Sequence, residues 1–87
     1  MQGWKRFLSL CSRCKGEEEL NALFELFLTI EERRDIGLRA LLIDALLEGK
    51  KTQREIAADL GISIAKITRG SNALKIISPK LKERLLP

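Results

Sequence analysis

Gln53, Arg54, Lys66, Thr68, Arg69 and Asn72 fall within residues 53–72, and their chemistry is charge pairing and hydrogen bonding. Lys66 and Arg54 can reach phosphates. Gln53, Thr68 and Asn72 can pair with base edges directly or through water. Ile64 and Ala65, between them in sequence, can offer only backbone and apolar contact, as to a thymine methyl. Bond-breaking chemistry has no comparable set of residues. The chain has no histidine. No serine or cysteine has a candidate base, and no carboxylate pair is convincing. Glu31 and Glu32 are adjacent on a first helical turn, where they serve as capping and dipole partners. Cys11 and Cys14 form a CxxC, but zinc needs four ligands and there is no third cysteine. A redox CxxC usually opens a helix after a strand, whereas this one lies within a helical pattern. Two half-buried structural thiols are expected, with no metal and no enzymatic activity.

The elements that must present the polar set are legible in residues 52–75, TQREIAADLGISIAKITRGSNALK. Ile56, Ala57, Leu60, Gly61, Ile62 and Ile67 have the spacing of a helix-turn-helix. Ala57 is small where the second helix crosses, and Gly61 can take the positive φ that ends the first helix. Thr52 with Glu55 makes a capping box, and Ser63 is the expected N-cap of the second helix. The pattern breaks at Gly70, where a branched aliphatic residue would be the inward side chain. A helical glycine costs about 1 kcal/mol relative to alanine. That missing side chain points to space kept for a ligand.

The rest of the chain reads as helices with short connections. Residues 3–15 put Trp4, Phe7, Leu8, Leu10, Cys11 and Cys14 on one face, and Gly16 is a break. Residues 17–28 carry a stripe of Leu20, Leu23, Phe24 and Phe27. Thr29 and Glu32 form a second capping box, opening a helix that runs to about Glu48, with Gly49 closing it. Pro79 suits the first turn of a last short helix. No segment alternates as a strand does. The fold class is therefore all-α, about six short helices in a single domain over 1–87, with a first segment over 1–49 and the helix-turn-helix over 52–75.

Residues 1–49 hold seven Lys/Arg against nine Asp/Glu, whereas 50–87 hold nine against three. The positive excess lies with the helix-turn-helix, a distribution suited to phosphate backbones. From Ile36 to Leu47, nine of twelve residues are apolar, so the third helix is greasy on nearly every side. So small a chain cannot bury such a helix alone, and a homodimer is the simplest cover. Two-fold symmetry would place two recognition helices on one face of a duplex. No apolar run approaches the ~18 residues that span a bilayer, and no signal peptide is visible, so a cytoplasmic protein without membrane attachment is expected.

LTIEERRDIGLR and LLEGKKTQREIAADLGISIAKITRGSNALK together closely resemble the tryptophan repressor family of bacteria. The likeness is clear over 28–75 and looser over most of the remainder. It implies an intertwined all-helical homodimer that binds L-tryptophan as corepressor and then double-stranded operator DNA. By position, Arg39 and Arg69 would hold the indole ring between them, and Gly70 would leave the space the ring occupies. Leu26 and Leu28 match the family's hydrophobic wall. Thr29 matches the residue whose backbone region meets the ligand's amino group. In the dimer these three would come from the other subunit. Ala73 stands where the family usually has a serine that helps hold the amino group. Lys66 stands where a threonine is common on the DNA side.

Two other readings stay open on sequence alone. One is a helix-turn-helix regulator that binds DNA constitutively or senses another ligand. The other is a helical interaction module whose apolar third helix docks a partner protein.

Overall fold

The structure is a computed structural model that describes residues 1–87. It contains six helices and no strand: α1 (Gln2–Arg13), α2 (Gly16–Phe27), α3 (Ile30–Glu48), α4 (Gln53–Leu60), α5 (Ile64–Ile76) and α6 (Pro79–Leu85). The all-α reading and each expected helix are found, with ends within a residue or two of expectation.

Local hydrogen bonding fixes most of the boundaries. Before α3, the Glu32 N–H donates to Thr29 Oγ1 at 3.1 Å and the Thr29 N–H donates to Glu32 Oε1 at 2.9 Å. The same reciprocal pair opens α4, with Glu55 N–H to Thr52 Oγ1 at 3.2 Å and Thr52 N–H to Glu55 Oε1 at 2.9 Å. Ser63 and Ser78 accept from the Lys66 and Leu81 amides, at 3.3 and 3.1 Å. Each bond satisfies a backbone donor that the first helical turn leaves unpaired. Gly61 ends α4 at φ 65°, in the left-handed region, so that its own N–H and that of Ile62 both reach the Ala57 carbonyl.

The Thr52 hydrogen bonds hold the Glu55 carboxyl below its ordinary value of 4.5. A lowered carboxyl pKa contributes stability that is present above the ordinary value and lost as pH falls through the lowered one. Glu55→Gln keeps a capping partner that does not titrate. Wild type should therefore lose melting temperature relative to Glu55→Gln as pH falls below 4.5. A difference independent of pH would contradict this role.

Contacts divide the chain into two compact units, Met1–Arg34 and Asp35–Pro87. The division falls inside α3 and not at the loop near residue 49. It follows the packing partners of each half. In the first unit an aromatic cluster joins α1 to α2: Phe7 stacks on Trp4 at 5.5 Å, lies 6.0 Å from Phe24, and meets Phe27 edge-on at 5.2 Å. Offset and edge-on pairs of this kind suit the quadrupoles of aromatic rings. Cys11 and Cys14 are half-buried free thiols. Cys14 caps the end of α1, with its Sγ 3.5 Å from the Leu10 carbonyl.

In the second unit Leu42 of α3, Ile56 of α4 and Ile67 of α5 form the buried core. Ala45, Leu46, Ala57, Leu60 and Ile62 pack around them. Ile56 and Ile67 are the two fully buried side chains, as the helix-turn-helix spacing requires. An exposed Lys51–Asp59 ion pair ties the α3–α4 connection to α4. Asp59 raises the Lys51 pKa through its hydrogen bond and its charge. Solvent screening keeps such a surface pair's contribution small. No helix is long and apolar enough to cross a membrane.

Candidate functional site

A recess of about 420 Å³ lies between α3 and α5 in the second unit. Small-molecule sites commonly span ~300–1,000 Å³. Asp35, Leu38, Arg39, Leu42 and Ile43 line it from α3, and Lys66, Arg69, Gly70 and Ala73 line it from α5. Ile62, in the turn before α5, completes the lining. The α3 residues recur at three- and four-residue intervals, so one helical face supplies them all. Leu42, Ile43, Ile62 and Gly70 are buried or half-buried, while the four charged residues are exposed. The recess thus has an apolar floor and a charged rim of three cations and one carboxylate. A planar guanidinium can stack on an aromatic face and can also pair with a carboxylate. The arrangement suits a compact apolar ring that carries an anionic group.

Of the expected ligand residues, Arg39, Arg69, Gly70 and Ala73 come together at this recess. Leu26, Leu28 and Thr29 belong to the first unit. Leu26 is largely exposed, Leu28 is half-buried, and Thr29 caps α3. Lys66, expected on the DNA side, also borders the recess. Asp35, Leu38, Leu42, Ile43 and Ile62 were not singled out as site residues. The signal for most of them was their spacing with Arg39, but it is hard to see in a helix that is apolar all round.

Gly70 departs from expectation in one respect. A Cβ built on it would lie 3.2 Å from Leu42 Cδ2 and 3.6 Å from Leu46 Cδ1, so α3 side chains already occupy the direction of the missing group. The glycine first of all lets α5 approach α3 closely, and it borders the recess as a consequence. Leu42 is a core residue with little room to yield. Gly70→Ala should therefore fall short of the ~1 kcal/mol gain expected for an unobstructed helical site. A full gain in thermal stability would show that the contact is slack.

The polar set expected to meet DNA is exposed: Gln53 and Arg54 open α4, and Ile64, Ala65, Lys66, Thr68, Arg69 and Asn72 lie along α5. Thr68 Oγ1 donates to Gln53 Oε1 at 3.2 Å, joining the two helices at their polar surface. With its carbonyl oxygen engaged by Thr68, the Gln53 amide keeps its NH2 donors for phosphate or base acceptors.

Two short helices joined through a left-handed glycine, with a basic, polar second helix, define a helix-turn-helix DNA-binding protein. The chain belongs to the Trp repressor protein family, whose sequence profile matches residues 2–86. It is 57% identical over 83 residues to the Trp operon repressor homolog of Chlamydia trachomatis serovar D, covering 95% of this chain and 88% of that protein. The homolog of Chlamydia caviae is 55% identical, with 95% of this chain and 82% of that protein covered. That of Mannheimia succiniciproducens is 41% identical over the same shares.

Proposed function

We propose that the chain is an L-tryptophan-dependent repressor that binds operator DNA of tryptophan-related genes as a cytoplasmic homodimer. The observation that carries the reading is the α3–α5 recess, which brings Arg39 and Arg69 together beside Gly70 over an apolar floor. An indole ring fits between two guanidinium planes, and the ligand carboxylate pairs with the cationic rim. Leu26, Leu28 and Thr29 of a second subunit close the pocket. Large apolar side chains left exposed on the single chain, Ile36 and Leu41 of α3 among them, support that pairing.

One wall of the recess is the recognition helix itself, so the ligand acts on DNA binding through the position of α5. It favours the DNA-competent orientation only to the extent that it binds that orientation more tightly. Gln53, Arg54, Ile64, Ala65, Lys66, Thr68, Arg69 and Asn72 face the duplex. The residues 1–49 serve dimerisation and the ligand wall, and 52–75 serve DNA.

The test is calorimetric titration of L-tryptophan into the purified protein, with D-tryptophan as control. One saturable site per chain, selective for the L form, is expected. Ala73 supplies the one observation that favours a second reading, a helix-turn-helix regulator with a different signal or none. A null titration beside intact DNA binding would favour that reading.

A further inference from the structure

One side-chain hydrogen bond joins α4 to α5, from Thr68 Oγ1 to Gln53 Oε1 at 3.2 Å. A threonine hydroxyl inside a helix commonly turns back to a carbonyl of the preceding turn. This one reaches across to the neighbouring helix instead. Both ends of the bond stand on well-anchored backbone. Thr68 follows Ile67, and Gln53 lies one turn before Ile56, the two fully buried side chains. Gln53 and Thr68 are themselves exposed, so the bond lies open on the polar surface of α4 and α5.

Resting on the reading of that surface as the one that meets DNA, we infer that Thr68 is a positioning residue, which fixes the Gln53 amide with its NH2 toward the duplex. Phosphate oxygens only accept, whereas a free glutamine amide presents an acceptor as readily as a donor. Against a phosphate, Oε1 would lose water and gain no partner, which is costly. The Thr68 hydroxyl supplies that partner from within the protein. Engaging Oε1 also holds Gln53 off the two-point contact with adenine, which needs the carbonyl oxygen for the N6 amino group. What is left is a donor aimed at an acceptor, either a phosphate oxygen or the O6 and N7 edge of guanine. Having given its proton to Gln53, Thr68 has only lone pairs to offer and does not itself donate to a phosphate. Its effect on DNA binding therefore passes through Gln53.

The experiment is a double-mutant cycle on the dissociation constant of the full chain for a duplex enriched from a random pool, at fixed salt with L-tryptophan present. The variants are Thr68→Val and Gln53→Ala, singly and together. Valine keeps the branched shape and removes the hydroxyl. Both positions are exposed, so the core is spared, and circular dichroism checks the fold. Thr68→Val should weaken binding by up to about tenfold, the scale of one neutral hydrogen bond. Thr68→Ser, which keeps the hydroxyl, should stay near wild type. In the Gln53→Ala background, Thr68→Val should cost less than about twofold, the scatter of independent sites. Enrichment repeated with Thr68→Val separates the two acceptors: a preference changed at one base pair marks a guanine edge, and an unchanged sequence marks a phosphate. An equal loss from Thr68→Val in both backgrounds, or no loss in either, overturns this inference alone. Wild-type protein that enriches no duplex overturns the DNA-binding reading, and this inference with it.

Discussion

Arg69→Leu should weaken L-tryptophan binding about 30-fold or more, because a charged hydrogen bond of ~1.5–3 kcal/mol and a cation–π contact of ~0.5–2 kcal/mol go together. Arg69 is exposed on α5 and is not part of the buried cluster of Leu42, Ile56 and Ile67. The variant should therefore stay folded, and calorimetry should isolate the loss. Arg69→Lys keeps the charge but not the plane, so it should fall between the two. DNA binding should become weak and indifferent to tryptophan. An Arg69→Leu protein that still responds to tryptophan as wild type does would sink the proposed sandwich of the ring between two arginines.

Ile36→Glu should convert the protein to a monomer and take both activities with it. Ile36 is 49% exposed on the single chain and lies outside the recess. Its side chain is large and apolar, at the start of the stretch from Ile36 to Leu47 in which nine of twelve residues are apolar. In a two-fold interface each substitution occurs in both copies, so an unpaired charge is buried twice. The mass in solution should fall to that of one 9.9 kDa chain. Tryptophan affinity should fall too, although Arg39 and Arg69 are untouched, because the other subunit's Leu26, Leu28 and Thr29 no longer close the pocket. A variant that remains dimeric and binds tryptophan normally would remove Ile36 from the interface. A wild-type protein that is itself monomeric would remove the interface altogether.

What the sequence revealed was mostly what short-range chemistry decides. The two capping boxes, Thr29 with Glu32 and Thr52 with Glu55, involve residues three apart, and both form as the pattern implies. Gly61 was readable for the same reason, since a left-handed helix end favours glycine. Ile56 and Ile67 were readable through their fixed spacing across one turn. The recess was less so, because it depends on how α3 crosses α5. In α3 the apolar residues run round the whole helix, so periodicity does not say which face meets α5. Asp35 was therefore passed over, and Arg39 was found through family resemblance. Gly70 was noticed as a defect in a helix, but only the structure shows that Leu42 sits against it. The division of the chain within α3 has no sequence mark, because no turn or glycine cluster stands at Arg34 and Asp35.

The most direct measurement is the dissociation constant for a duplex enriched from a random DNA pool, taken with and without saturating L-tryptophan at fixed salt. The account predicts clear tightening by L-tryptophan, loss of that tightening in Arg69→Leu, and a two-fold symmetric enriched sequence. Equal affinity with and without tryptophan would contradict it, leaving a DNA-binding protein whose recess serves another ligand or none.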